Sequence, residues 1–488
     1  MSIEYGYNFF WVMKQQISFI HKLPALVTGI LLLTLTSATT GWAQPKSQPQ
    51  TIGRYTLTPA DNVFLDSLQR DTFRFFWDTT NPKNGLVPDR APTPSFSSVA
   101  AVGFGLTSYL IGVERGYITR RQAVERVLAT LRFFRNAPQG AAPINVAGYK
   151  GFYYHFLDMQ SGLRFKTVEL STIDTALLLA GVLSCQTYFD RKNAAETEIR
   201  KLADELYKAA DWTWFQARQP FVSMGWHPES GFIKSDWKGY DEAMILYVLA
   251  LGSPTHPVGP EVWPAWTGSY EWMNFYNQEH VNFEPLFGHQ YSHCWIDFRG
   301  IQDAYMRQKG MDYFENSRRA TYANRAYCAA NPNKWQDYSE TVWGLTACDG
   351  PRDTLANGRQ FFSYRARGAS AQRIVDDGTI APTAAGGSLA FAPEICLPAL
   401  KTMKAKYGSQ LYGPQGFRDS FNPTYRYWSP FAYGSTDNGW FDRDYLGIDQ
   451  GPIIIMAENL RTNFVWNLMK KNPYIQRGLS RAGFTPVK

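Results

Sequence analysis

Nine stretches of this 488-residue chain carry apolar residues at helical spacing, and long connections rich in Gly, Pro, Trp and Tyr separate them. In residues 60–77 the apolar set Phe64, Leu65, Leu68, Phe75 and Phe76 recurs with the period of one helix face. The same reading covers 99–112, 120–134, 170–183, 194–210, 241–251, 312–330, 393–407 and 452–469. No strand signal of comparable strength accompanies them. No low-complexity linker interrupts the chain after Thr51 and no exact repeat occurs, which predicts one all-α domain rather than two. Successive helical hairpins with long loops predict an α/α toroid, whose inner helices and end loops surround a wide cleft. An irregular helical bundle has the same periodicity.

The amino terminus has the form of an export signal. Lys14 and Lys22 precede the apolar run 23–35, and small and polar residues lead to Gly41-Trp42-Ala43. We expect cleavage after Ala43, with Met13 the alternative initiator, giving a signal peptide over 1–43. A short polar linker over 44–59, a catalytic domain over 60–470 and a C-terminal tail over 471–488 follow. The apolar run is shorter than the ~20 residues of a spanning helix, so no membrane anchor is expected after cleavage. That makes the protein periplasmic or extracellular.

Five cysteines are too few for a disulfide scaffold, and Cys328 with Cys348 is a candidate pair in an oxidising periplasm. The net charge of +7 is not gathered into Lys/Arg blocks, so no nucleic-acid footprint is present. Aromatic residues make up 16% of the chain, and rings that pair an apolar face with a polar edge suit sugars as well as cores.

Cleavage of a glycosidic bond needs one carboxyl to protonate the leaving oxygen and a second to activate water or attack the sugar. Glu242, in Gly239-Tyr240-Asp241-Glu242-Ala243-Met244, opens an apolar helix beside Trp226, His227, Trp237 and Tyr240. Complementing a helix dipole is the plainer role for a carboxylate there. Asp174 is a charge set in an otherwise apolar helix, and it requires either a structural partner or a cleft to face. Asp449, before the apolar run from Ile453, is either a helix cap or a cleft carboxylate. The run from Gly288 to Gly300 packs His289, His293, Trp295, Asp297 and Arg299 together. His289 and His293 are four apart but lack the glutamate of a zinc protease motif, and Asp297 with Arg299 also reads as a structural ion pair. No metal or other cofactor is expected.

Four runs carry a family resemblance: Asp241-Glu242-Ala243-Met244-Ile245-Leu246-Tyr247, His289-Gln290-Tyr291-Ser292-His293, Trp295-Ile296-Asp297-Phe298-Arg299-Gly300, and Leu446-Gly447-Ile448-Asp449-Gln450-Gly451-Pro452. With Ala381-Pro382-Thr383-Ala384-Ala385-Gly386-Gly387-Ser388 and Phe391-Ala392-Pro393-Glu394, they resemble the bacterial glucoamylase-like family, which includes endo-β-1,2-glucanases. The resemblance implies an (α/α)6 toroid, a glucan partner and endo-acting, inverting hydrolysis of β-1,2-glucan. It makes Glu242 the general acid and leaves the base as Asp174 or Asp449. Trp226, Tyr240, His293, Trp295, Asp297, Arg299 and Gln450 would then shape the sugar subsites. A glucan-binding protein without catalysis and a polysaccharide lyase on the same helical framework are the rival readings.

Overall fold

The computed structural model describes residues 55–487; the expected signal peptide and most of the linker lie outside them. Pro59–Lys488 forms one compact unit. Among the described residues there are fifteen α-helices. In chain order they are α1 (Pro59–Thr79), α2 (Val99–Glu114), α3 (Arg120–Asn136), α4 (Thr172–Tyr188), α5 (Ala194–Ala209), α6 (Met244–Gly252), α7 (Val262–Thr267) and α8 (Tyr291–Trp295). Then come α9 (Ala304–Lys309), α10 (Tyr313–Ala330), α11 (Pro382–Gly386), α12 (Pro393–Tyr407), α13 (Gly447–Thr462), α14 (Phe464–Met469) and α15 (Pro473–Arg481).

Sequence character sorts these helices into inner and outer. A helix that is apolar all round must be buried on every face. α2 buries all but Val113 and Glu114, α4 all but Gln186 and Thr187, and α6 all of its residues. The amphipathic α3 and α5 bury only one stripe each, through Val127, Leu131 and Phe134 on α3 and Ile199, Ala203 and Leu206 on α5. They pack on each other, with α3 also against α2 and α5 against α4. Among the apolar helices, α2 meets α4, α4 meets α6, α6 meets α8, α11 meets α13, and α13 returns to α2.

The crossing of α2 and α4 depends on two glycines. A Cβ on Gly103 would sit 2.1 Å from the Leu177 carbonyl oxygen, and one on Gly181 would sit 2.2 Å from the Gly103 carbonyl oxygen. The helices therefore touch backbone to backbone, an approach that only glycine permits.

Several expectations are corrected. Short strands of two to four residues are present, including a five-stranded antiparallel sheet through Gly148–Tyr149, Phe152–Tyr154, Leu170–Ser171, Gly225–His227 and Gly231–Phe232. Each is too short to show a two-residue period. The stretch 452–469 is two helices, since α13 starts at Gly447 and Asn463, left-handed at φ 57°, ends it before α14. The C-terminal residues pack on the rest of the fold, where a Cβ on Gly478 of α15 would sit 2.1 Å from the Val248 carbonyl oxygen in α6. Thr485–Pro486 pairs with Ile301–Gln302. All five cysteines are buried free thiols, so Cys328 and Cys348 are not bridged.

Candidate active site

A circuit of hydrogen bonds ties the starts of six apolar helices together. Gly447 N, opening α13, donates to the Asp89 carbonyl (2.8 Å) ahead of α2. Val99 N, opening α2, donates to the His155 carbonyl (3.2 Å), and His155 N to the Glu169 carbonyl (3.0 Å) ahead of α4. Trp237 Nε1 donates to Thr172 Oγ1 in α4 (2.9 Å), and Tyr247 Oη in the first turn of α6 donates to the Trp237 carbonyl (2.8 Å). Ile245 N in α6 donates to Ser292 Oγ of α8 (2.9 Å), whose hydroxyl donates to the Glu242 carbonyl (3.1 Å). Gln290 Nε2, at the head of α8, donates to the Ala384 carbonyl of α11 (2.8 Å), and Thr383 Oγ1 donates to the Asp449 carbonyl of α13 (3.1 Å). Asp174, Glu242 and Asp449 thus share one rim, where the positive ends of α4, α6 and α13 favour negative charge.

Glu242 lies in the turn two residues ahead of α6 and is buried. No side chain caps α6, whose N-cap is Ala243, and Asp241 Oδ1 accepts the Ala243 N–H at 3.0 Å in the turn ahead of it. Tyr291, at the head of α8, connects Glu242 electrostatically to the other side of the rim. Burial pushes its phenol well above the ordinary value, and Asp449, Tyr364 and Glu242 push it further.

Asp449, in the first turn of α13, belongs to a group of buried carboxyls that spans distant parts of the chain. Burial, then the charge of Asp419 and a hydrogen bond with it, then Asp349 and Asp89, hold Asp449 well above the carboxylate range. Burial and Asp349 push Asp419 up to about 6. Asp442 is held well above its ordinary value by burial, then by Asp349, Asp419 and Asp444. Arg90 supplies positive charge, through Nη1 to Asp349 Oδ2 (2.5 Å) and Nε to Asp89 Oδ2 (3.1 Å). One guanidinium cannot neutralise Asp89, Asp349, Asp419, Asp442 and Asp449, so the group retains protons at pH values where free carboxyls have lost them.

Asp174 has a different environment. Ser171 Oγ donates to Asp174 Oδ2 at 2.5 Å, and His155 Nε2 lies 3.5 Å from Asp174 Oδ1. His155 Nδ1 meets Glu169 Oε1 at 2.9 Å. Burial alone would lower the imidazole, but Asp174 and Glu169 outweigh it and raise His155 to about 9. Glu169 sits below its ordinary value: burial opposes this, but the charge of His155 and its hydrogen bond prevail. Burial raises the Asp174 carboxyl above its ordinary value even though His155 and Ser171 pull it down, so Asp174 is a paired acid beside an imidazolium. His155–Glu169–Asp174 and Asp349–Asp419–Asp442 each bring three ligand-type side chains together, with donor atoms within 4.8 Å of one another. The imidazolium offsets the charge of the first only in part, and Arg90 with retained protons offsets that of the second.

The remaining sequence candidates separate. Trp226 is half-buried on the strand Gly225–His227, its ring 5.5 Å from Tyr149 and 5.4 Å from Trp214. Tyr240 is buried and tilted over His289 at 4.8 Å. Gln450 Nε2 donates to the Phe417 carbonyl (2.8 Å). His293 Nε2 meets Ser317 Oγ at 3.1 Å, and Trp295 Nε1 donates to Thr107 Oγ1 (2.9 Å) while its ring stacks on Phe104. Beyond the C-terminal end of α8, Asp297 binds Arg299 Nε (2.7 Å) and Lys470 Nζ (2.6 Å), and Arg299 lies 4.3 Å over Trp466. His293, Trp295, Asp297 and Arg299 are thus engaged by the protein itself. Their clustering in sequence reflects a helix of only five residues whose two ends face different surroundings.

Sequence reasoning missed Asp89, Arg90, His155, Glu169, Asp349 and Asp419. They stand alone in irregular segments, and only the fold brings them together.

The mostly helical architecture is shared with solved glucoamylase-like proteins. The chain belongs to the family described as "Putative glucoamylase", whose model matches residues 234–473. A protein of Bacteroides uniformis ATCC 8492 described in the same words is 32% identical and has a TM-score of 0.75, with 88% of this chain and 99% of that one covered. The endo-beta-1,2-glucanase of Chitinophaga pinensis, solved with sophorotriose and glucose, is 28% identical with a TM-score of 0.74, over 87% of this chain and 98% of its own. An exo beta-1,2-glucooligosaccharide sophorohydrolase (non-reducing end) of Parabacteroides distasonis is 29% identical over 469 residues, 88% of this chain. This chain spans 59% of the length of that relative.

Proposed function

We propose that this chain is a glycoside hydrolase acting on β-1,2-glucan, with Glu242 as general acid and the Asp419–Asp449 pair as general base. The observation that carries the reading is the chain of hydrogen bonds that runs from the Glu242 carbonyl through Ser292 and Gln290 of α8 and Thr383 of α11 to the Asp449 carbonyl. Two carboxyl functions facing a common space are what glycosidic cleavage requires. Relatives that act on β-1,2-glucans supply the linkage.

In the proposed reaction water attacks the anomeric carbon as the bond to the leaving oxygen breaks. Glu242 gives its proton to that oxygen, and the aspartate pair takes the proton lost by water. This course inverts the anomeric centre, and it requires carboxyls about 6.5–9.5 Å apart to admit the water. Asp174 is the weaker base, because Ser171 and the His155 imidazolium already engage its oxygens. Endo action is part of the proposal, as are closure of the apolar helices into an (α/α)6 toroid and export after loss of residues 1–43. The return of α13 to α2 supports the toroid. The Lys14 and Lys22 region with its apolar run supports export, and N-terminal sequencing of the exported protein tests it.

The decisive assay offers β-1,2-, β-1,3- and α-1,4-glucans and measures new reducing ends, product length and the absorbance of unsaturated sugars. We expect reducing ends from β-1,2-glucan alone, in mixed lengths and without that absorbance. Release of disaccharide only would replace endo with exo action, unsaturated products would make the protein a lyase, and no cleavage of any glucan would overturn the proposal.

A further inference from the structure

Trp428 is 71% exposed, whereas Trp212, Trp237, Trp266, Trp295, Trp343, Trp440 and Trp466 are among the most deeply buried side chains. The exposed indole leaves a flat apolar face with a polar edge open to a ligand, on a loop that carries two further part-exposed rings. Tyr427 and Tyr433, on the same loop, are 38% and 40% exposed.

The loop is held firmly beneath these rings. Tyr425 Oη donates to the Trp428 carbonyl (3.2 Å), and Ser429 Oγ donates to the Pro351 carbonyl (2.6 Å). The Arg352 guanidinium lies 5.7 Å from the Trp428 ring centre, and that of Arg418 lies 3.6 Å from the Tyr433 ring centre. The loop is also continuous with the carboxylate group. Ala432 bridges to Asp442, Tyr433 N donates to the Phe441 carbonyl (2.8 Å), and Arg443 N donates to the Phe431 carbonyl (3.2 Å).

We propose that residues 423–439 form an outer glucosyl subsite, with Trp428 as its platform, that holds a β-1,2-glucan chain extending from the carboxylate rim. The inference rests on the function proposed above. The indole face takes the C–H face of a glucosyl ring, while the neighbouring guanidinium and phenol groups offer donors to its hydroxyls. A neutral chain suits this surface because its cations already lie against aromatic rings.

The test measures binding of β-1,2-glucan polymer by affinity electrophoresis in a Glu242→Gln background, so that cleavage does not intrude. Adding Trp428→Ala should weaken binding roughly five- to tenfold, and Trp428→Phe should stay within about twofold of the parent. Trp428→Gln carries the same expectation as alanine should the latter melt early. Binding within about twofold for both the alanine and glutamine variants overturns the subsite, as does a Glu242→Gln protein that binds no polymer. Wild-type hydrolysis, measured in parallel, separates the two claims: cleavage with unchanged binding removes the subsite alone, and no cleavage removes the function.

Discussion

Asp419 and Asp449, thirty positions apart in sequence, are two buried carboxyls, and after burial the charge of Asp419 does most to hold Asp449 above the carboxylate range. Asp419 is fixed on its other side, where its Oδ2 accepts the Asp349 N–H at 2.7 Å. Such a pair loses its protons in two steps that belong to the pair, and the second ionisation is the harder one.

Replacing Asp419 with Asn removes a negative charge that, after burial, does most to hold Asp449 protonated. Asp449 then ionises at lower pH. The acid limb of kcat/KM for β-1,2-glucan should move down by about one pH unit. A limb that stays in place or moves upward contradicts the pairing.

The His155 cluster predicts a pH-dependent stability. His155 titrates near 9 in the fold against 6.5 when free, so its contribution is fully present below about 6.5 and is lost as pH rises through about 9. The whole effect is about 3 kcal/mol. Urea denaturation at pH 6.5 and 9.5 should register a fall of that order, and His155→Gln should flatten it. An unchanged slope in the variant would exclude His155 as its source.

Gly181→Ala tests the crossing of α2 and α4. The added methyl would meet the Gly103 carbonyl oxygen at 2.2 Å, and that oxygen belongs to helix backbone that cannot turn aside. A loss of about 3 kcal/mol is expected in denaturant melts. A variant as stable as the parent would mean that the helices separate freely.

The parts of this fold that were legible in the sequence are those where burial repeats at a helical period. α2, α4 and α6 announce themselves as uninterrupted apolar runs, and α3 and α5 as striped ones. Helices of five residues, such as α8 and α11, are too short to carry a period. Glu242, Asp174 and Asp449 stand out in the sequence because each is an acid at the edge of an apolar run. Asp349 and Asp419 sit in loops with no regular pattern, and their meaning comes from a rim built by residues hundreds of positions away. His155 lies in an aromatic stretch, Tyr153 to Phe156, that gives no hint of two carboxylate partners. Trp428 looks like any other ring until its exposure is known.

The central claim is that Glu242 donates the proton that releases the leaving sugar. The most direct measurement is the rate at which purified wild-type and Glu242→Gln proteins generate reducing ends from β-1,2-glucan, with polymer binding followed alongside. The account predicts a loss of about a thousandfold or more with binding retained, because glutamine keeps the shape of the side chain but has no proton to transfer. A Glu242→Gln enzyme that works within about tenfold of wild type would contradict it.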